Sequence, residues 1–194
     1  SGGLILSRTA IRIEDSLLQD SYATENGGAI ADSGTTSEAR YATEIRGTSF
    51  VNNFSGGDGG ALNIVVSEED IHLSDIETIG NHATGFGGGI SVVFIGGTAE
   101  FHDVVIQSNS AASGGGLSVQ GQTPKLELRN SVVSGNRAFE NGGGVSALAS
   151  AYTSPARLIG DNFIVSNNSA GADGGGIHAL NFLSLSGAEI RDNL

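Results

Sequence analysis

Short stretches of alternating apolar and polar residues recur along the whole chain. Clear cases are IRI at 11–13, IHL at 71–73, LEL at 126–128 and LSL at 183–185. A second alternation follows the glycine clusters, as at Leu117 and Val119. A period of two predicts a β-strand with one buried face, so the chain is predicted to consist of many short strands.

The buried face changes within each unit. Leu128 and Val133 are five residues apart, so they cannot point to the same side of one straight strand. Asn130 lies between them, and its side chain suits a tight corner because it can hydrogen-bond to nearby backbone. Its predicted counterparts are Asp15, Asp75, Asp103 and Asp161. Each unit is therefore expected to contain about three short strands separated by corners.

A glycine motif marks the repeat. It reads NGGAI at 26–30, DGGAL at 58–62, FGGGI at 86–90, SGGGL at 113–117, NGGGV at 141–145 and DGGGI at 173–177, and SGGL at 1–4 fits the end of an earlier copy. The closing apolar residues are 4, 30, 62, 90, 117, 145 and 177, with spacings of 26, 32, 28, 27, 28 and 32. Residues 1–194 are predicted to be one β-helix segment that begins and ends within a repeat, as a piece of a longer array would.

An asparagine precedes each glycine motif, and Ser21 takes its place in the first full copy. Three residues earlier there is usually a large apolar residue, with Thr78 as the exception. Amide side chains one repeat apart can hydrogen-bond to each other, which favours a structural ladder over a ligand site. The predicted ladder residues are Asn53, Asn81, Asn109, Asn136, Asn168 and Asn193. The predicted corner glycines are Gly27, Gly28, Gly59, Gly60, Gly88, Gly89, Gly115, Gly116, Gly143, Gly144, Gly175 and Gly176.

These patterns predict an all-β parallel β-helix. Glycine triplets disfavour a helix by about 1 kcal/mol per residue, and no apolar period of 3.6 persists. Repeats made only of short strands suit a solenoid whose coils stack about 4.8 Å apart. We expect about six to seven coils of roughly 28 residues, each burying its apolar face against its neighbours. The pattern alone does not fix the hand of the coil.

The composition disfavours or excludes several classes of function. The formal net charge is −12 and the pI is about 4.5, which disfavours binding to nucleic acid or to anionic lipid. The apolar runs are too short to span a bilayer as a helix. The chain has no cysteine, so disulfides, cysteine-ligated zinc and thiol chemistry are excluded.

Few residues of the sequence suggest a phosphate, metal or catalytic site. A phosphate-binding glycine loop would need a helix after it and usually a lysine, but strands are predicted there and Lys125 is the only lysine. Calcium needs six to eight oxygen ligands, and Glu68, Glu69 and Asp70 are weak candidates in the densest acidic patch. The arginines and histidines occupy unlike positions in the repeat, so no catalytic residues, cofactor or enzymatic activity are expected.

Variable loops at one corner are the candidate binding edge. The longest are DSGTTSEARYAT at 32–43 and LASAYTSPAR at 148–157. Insertions between repeats often form the binding face of a solenoid. The candidate partner contacts are Arg40, Tyr41, Tyr152 and Arg157.

The stretch FVNNFSGGDGGAL at 50–62 resembles the paired Phe-x-x-Asn and Gly-Gly-Ala-[Ile/Leu/Val] repeats of the chlamydial polymorphic outer membrane proteins. LELRNSVVSGNRAFENGGGV at 126–145 resembles the same repeat in large secreted bacterial proteins. The resemblance implies a right-handed parallel β-helix, at the cell surface or secreted, of the kind that serves as an adhesive autotransporter passenger. The wider pectate-lyase-like superfamily shares this fold but also includes polysaccharide-cleaving enzymes.

Three functions remain open. The first is a non-catalytic adhesin stalk or scaffold of a bacterial surface protein, outer-membrane-attached or secreted. Its partner would be a protein or glycan of a host cell, a neighbouring cell or the extracellular matrix. The second is a β-helix that binds or cleaves carbohydrate. The third is a subunit of an extracellular filament that associates end to end.

Overall fold

The computed structural model describes residues 3–33, 42–66, 70–121, 125–149, 157–180 and 182–194. The strands pair in parallel and stack as a β-solenoid of about six turns, roughly 28 residues apart. No helix occurs within these described ranges. The predicted all-β parallel β-helix is confirmed.

Each full coil contributes to three sheets. Among the described residues, the first sheet has seven strands, the second eleven and the third six. The first comprises Ile5–Ser7, Ile30–Asp32, Leu62–Val66, Ile90–Phe94, Leu117–Gly121, Val145–Ala149 and Ile177–Leu180. The second comprises Arg12–Glu14, Leu17–Gln19, Thr43–Val51, Ile71–Ile79, Ala99–Gln107, Lys125–Arg129, Val132–Ser134, Arg157–Asp161, Ile164–Ser166, Phe182–Ser186 and Glu189–Arg191. The third comprises Tyr22–Ala23, Phe54–Ser55, His82–Ala83, Ser110–Ala111, Arg137–Ala138 and Ser169–Ala170.

The register of the first sheet follows the glycine motifs. Ile30 pairs with Leu62, Leu62 with Ile90, and Ile90 with Leu117. At the first copy, however, Ile30 pairs with Ile5, so the predicted closing residue Leu4 is wrong by one position. Leu4 instead donates its N–H to the carbonyl of Ala29, just as Ala29, the fourth residue of its motif, donates to the carbonyl of Ala61.

The predicted corner after the second alternation is a bend inside one sheet. Thr43–Val51, Ile71–Ile79 and Ala99–Gln107 each continue through a residue with positive φ, such as Asp75 at 53°. One left-handed residue reverses the side-chain parity while the backbone still pairs with the next coil. In the sixth coil this residue is Asn162, with φ of 50°, and the prediction of Asp161 is wrong because Asp161 pairs with Arg129 on the strand before the bend.

The core runs through the inside of the solenoid as columns of like residues. One column contains Ile30, Leu62, Ile90, Leu117 and Val145, and all five side chains are fully buried. Burying an aliphatic side chain of this size contributes about 1.5–3 kcal/mol. Thr78, the exception in the apolar pattern, is also fully buried, in the column of Phe50 and Ile106.

Candidate functional site

The six predicted ladder asparagines lie one above another where the chain leaves the second sheet. The Nδ2 of each of the first five donates to the Oδ1 of the next asparagine over 2.9–3.1 Å. That Oδ1 also accepts the backbone N–H of the preceding asparagine over 2.8–2.9 Å. The second Nδ2 hydrogen goes to a main-chain carbonyl, as from Asn136 to Ile106. Each interior amide thus uses both of its hydrogens and accepts two.

Ser21 holds the position that precedes Asn53 in this ladder. Its N–H donates to Asn53 Oδ1 at 3.1 Å, and its hydroxyl donates to the carbonyl of Gly28. A hydroxyl has one hydrogen and is shorter than an amide side chain. Ser21 can therefore donate its backbone N–H to the first asparagine of the ladder, but its side chain cannot make the two hydrogen bonds that an asparagine Nδ2 makes. The asparagines of the ladder bond to one another and to the main chain, and these hydrogen bonds support a structural role for them.

The glycines serve two separate constraints. Gly142 has φ of 65°, a backbone conformation that glycine adopts without steric cost. Gly143 has no positive φ, but a Cβ there would lie closer than 3.0 Å to the carbonyl oxygens of Gly175 and Ser169 in the next coil. The predicted corner glycines omit the first glycine of each triplet, which has a positive φ, at Gly87, Gly114, Gly142 and Gly174. Aligning each triplet with the two GGA copies would have identified them, because alanine replaces the third glycine.

A second polar row precedes the first glycine of the motif, and the sequence patterns missed it. Asn26 Oδ1 accepts the N–H of Asp58, and Asp58 Oδ1 accepts the N–H of Phe86, both over 2.9 Å. Asn141 Oδ1 likewise accepts the N–H of Asp173 over 3.1 Å. The Asp58 carboxylate therefore satisfies a backbone donor at the corner. The recurrence of Asn, Asp or Ser at this position was the available signal.

The outer face of the second sheet carries paired charges. Arg12 lies 2.8 Å from Glu14 and 3.9 Å from Glu44. The hydrogen bond from Arg12 lowers the pKa of Glu14 below its ordinary value. These residues line a shallow depression of about 150 Å³. Because arginine and glutamate neutralise each other here, the depression has no excess charge with which to hold an ionic substrate.

Glu127, on the same face, is a carboxylate with two close cationic partners. Lys125 Nζ lies 3.0 Å from one of its oxygens and Arg129 Nη2 lies 2.8 Å from the other. The hydrogen bond from Lys125 lowers the pKa of Glu127, partial burial opposes the shift, and the charges of Lys125 and Arg129 add to the lowering. This arrangement stabilises the ionised carboxylate, the opposite of what a proton-donating catalytic acid requires.

The calcium candidates are only partly described. Glu68 and Glu69 lie outside the described residues. Asp70 Oδ1 accepts the backbone N–H of Thr98 at 2.9 Å, which is a bond between coils. Within the described ranges no group of three or more histidine, cysteine, aspartate or glutamate side chains could hold a metal ion.

The four histidines are spread over the three sheets. His72 and His102 are on the second sheet, 3.5 Å from Glu100 and 2.6 Å from Asp103 respectively. His178 is on the first sheet, where its Nδ1 is buried with no partner among the described residues. His82 is on the third sheet, and its Nδ1 lies 2.8 Å from Ser110 Oγ. That pair resembles a nucleophile and its base, but no carboxylate is recorded on His82 in the described part of the chain to orient it.

Of the predicted partner contacts, Arg40, Tyr41 and Tyr152 lie outside the described residues. Arg157 is exposed at the start of the strand Arg157–Asp161, where it pairs in register with Lys125. The candidate edge they would form stays a prediction.

A family model for the Chlamydia polymorphic membrane protein repeat matches residues 162–180. The matched segment contains one ladder asparagine, Asn168, and one glycine motif, Gly174 to Gly176. The repeat match and the parallel solenoid fit a repeat of this type. Proteins with this repeat are non-enzymatic surface proteins, and the match suggests a β-helix segment of a surface protein. Neither a curated protein nor a solved structure matches the chain. In the described residues no helix is long and apolar enough to cross a membrane.

Proposed function

We propose that this chain is a non-catalytic rod segment of a large bacterial cell-surface or secreted protein, where it acts as an adhesin stalk or scaffold. The observation that carries the proposal is the continuity of the interior. The asparagine ladder runs from Asn53 to Asn193 without a break, and a buried apolar core accompanies it. Every coil is hydrogen-bonded to the next, which gives the stiffness that a stalk needs.

The distribution of polar chemistry supports a non-catalytic role. The paired charges of the second sheet neutralise each other, and the histidines are spread over three sheets. Catalysis by acid and base requires such groups to converge on one substrate position. A binding edge formed by the variable loops would then supply adhesion, with Arg40, Tyr41, Tyr152 and Arg157 as its contacts.

Bead adhesion tests the role directly. Beads coated with the chain should adhere to cultured cells more than beads coated with a variant in which Arg40, Tyr41 and Tyr152 are changed to alanine. Asn141→Ala, away from these loops, is the control and should adhere like the original chain. Equal adhesion of the original chain, the loop variant and the control would show that these loop residues do not form the binding edge. Analytical sedimentation of the same samples would show whether the chain also associates end to end.

Polysaccharide cleavage is the alternative that this role must exclude. The purified chain would be incubated with acidic and neutral polysaccharides, with and without Ca²⁺, and new reducing ends or unsaturated products would be measured. We expect no turnover. Turnover that disappears on changing a single aspartate would overturn the non-catalytic assignment.

A further inference from the structure

A stack of aromatic rings follows the outer face of the third sheet. Tyr22, Phe54 and His82 occupy the same register on successive coils. The rings of Tyr22 and Phe54 are parallel to within 2° with centroids 5.0 Å apart, and His82 continues the stack 5.3 Å from Phe54. These spacings lie within the range of favourable offset stacking. The next two residues in the same register are Ser110 and Arg137.

The stack therefore lacks a ring at Ser110. The next outward residue of the same coil, Ala112, is also small. In the following coil the corresponding residues are the larger Arg137 and Phe139. We name the resulting notch by its five residues, His82, Ser110, Ala112, Arg137 and Phe139. One wall is His82 and the other is Arg137 with Phe139, while Ser110 and Ala112 form the floor. The strands that carry the two walls are two strand spacings apart, about 9.5 Å. That separation leaves room for one flat ring at about the spacing that the stack already shows.

The two walls offer π and cationic groups. The Arg137 guanidinium lies over the Phe139 ring, with Cζ 5.4 Å from the centroid, and Phe139 is 59% exposed. Among the described residues, no carboxylate is recorded within 4.0 Å of Arg137. By contrast, Arg12, Arg46, Lys125, Arg129 and Arg191 all have carboxylate partners. In a chain of net charge −12, Arg137 is thus a cation left available beside an exposed aromatic ring.

We propose that the notch binds an aromatic side chain of a partner protein that has a carboxylate next to it. The aromatic ring would occupy the missing rung between His82 and the Arg137–Phe139 wall, and the carboxylate would pair with Arg137. Aromatic stacking contributes about 0.5–1.5 kcal/mol beyond burial, and a cation near a ring about 0.5–1 kcal/mol at an exposed site. Aromatic and arginine side chains are also the residues that most often dominate protein interfaces.

The chemistry of the notch favours an aromatic side chain over a sugar ring. A sugar ring would bring several hydroxyl groups, but the floor offers only Ser110 and Ala112, and Ser110 Oγ already bonds with His82. The unmet hydroxyl groups would oppose binding. The notch therefore has the composition of a small protein contact.

This contact deepens the surface role proposed above and rests on it only for the existence of a partner. The third sheet follows the second along the chain, whereas the variable loops precede the second. The notch and the loops can consequently be altered one at a time. Failure of the chain to adhere would count against the surface role, whereas an empty notch would overturn only the contact proposed here.

The test uses blocked tripeptides Trp-Asp-Gly and Ala-Asp-Gly titrated into the labelled chain, observed by NMR. We expect Trp-Asp-Gly to shift the signals of His82, Ser110 and Phe139 saturably, with a millimolar dissociation constant, and Ala-Asp-Gly to bind at least about tenfold more weakly. Absence of saturable shifts at these residues would overturn the proposal. So would shifts produced by a uronate oligosaccharide and not by Trp-Asp-Gly.

Variants locate the site. Ser110→Phe adds the missing ring and should reduce binding at least about tenfold, and Arg137→Gln should reduce it about two- to fivefold through loss of the cation. Thr24→Phe, which adds a ring to the same face away from the notch, should bind like the original chain. Retained amide dispersion would verify that each variant is folded. Equal binding by Ser110→Phe and Thr24→Phe would contradict the proposal, and Arg137→Gln tests it independently if Ser110→Phe does not fold.

Discussion

The ladder makes a quantitative prediction for Asn136→Ala. The change removes the Oδ1 that accepts two hydrogens from Asn109, one from the backbone N–H at 2.9 Å and one from Nδ2 at 3.1 Å. Both donors belong to a residue that is 1% exposed, so water cannot easily replace the lost acceptor. The change also removes the Nδ2 that donates to Asn168 Oδ1 and to the Ile106 carbonyl, although the backbone N–H of residue 136 still reaches Asn168 Oδ1.

The magnitude follows mainly from the two donors of Asn109 that lose their acceptor. Each buried unsatisfied donor costs about 1–3 kcal/mol, which gives about 2–6 kcal/mol for the variant. This is a large fraction of the 5–15 kcal/mol that is typical of a folded domain. Asn141→Ala in the same coil is the matched control. It loses one exposed bond, to the N–H of Asp173, and should cost about 0.5 kcal/mol.

Urea unfolding followed by far-UV circular dichroism would measure both variants. Midpoints should be compared directly, because unfolding of a repeat array can depart from two states. Hydrogen exchange at the Asn109 amide should also accelerate in Asn136→Ala. If the two variants unfold at the same urea concentration, the ladder does not contribute as the geometry indicates.

A double variant separates the two orphaned donors. Asn109→Ala removes the side-chain donor that Asn136→Ala would strand. The double variant should therefore be less destabilised than the sum of the single variants, by about 1–3 kcal/mol. Strict additivity would contradict the assigned bonds.

Three further predictions follow from the same contacts. Gly88→Ala should cost more than about 3 kcal/mol in chemical denaturation, because its Cβ would lie closer than 3.0 Å to backbone atoms of Gly115 and Ser110 in the next coil. Gly89→Ala should cost about 1 kcal/mol, because its Cβ would lie 3.0 Å from the nearest backbone atom, the Gly116 oxygen, and 2.7 Å from the Thr78 hydroxyl. Glu127→Gln should destabilise the chain at pH 7 by less than about 1 kcal/mol. The folded-state pKa of Glu127 is lowered, so this difference should be present above the ordinary glutamate pKa and vanish as the pH falls through the folded value, as acid-dependent melting curves would show. Ser91→Ala should raise the melting temperature because Ser91 Oγ is buried and has no hydrogen-bond partner among the residues that the structure describes, whereas Ser118→Ala, which loses a bond from Gln120, should not.

The parts of the fold that repeat were predictable from the sequence. Asn136 and Gly143 recur at fixed places because each coil must bond to and pass close to the next, and a repeated contact leaves a repeated residue. The errors were single-position errors at irregular copies. Leu4 looked like a closing residue because a second apolar residue follows it, and Asp161 looked like the bend because Asp and Asn are adjacent there. Only the strand register distinguishes such neighbours.

The notch lay beyond sequence reasoning for a related reason. His82 and Ser110 are 28 residues apart, and Arg137 follows Ser110 by 27. Their adjacency depends on the exact register of two-residue strands, and nothing in the repeat motif constrains these outward positions. In a solenoid the inward and ladder residues are restricted by every neighbouring coil, so they vary little between copies. Recognition then depends on the outward positions where copies differ, and the loss of one ring at Ser110 between His82 and Arg137 is such a difference.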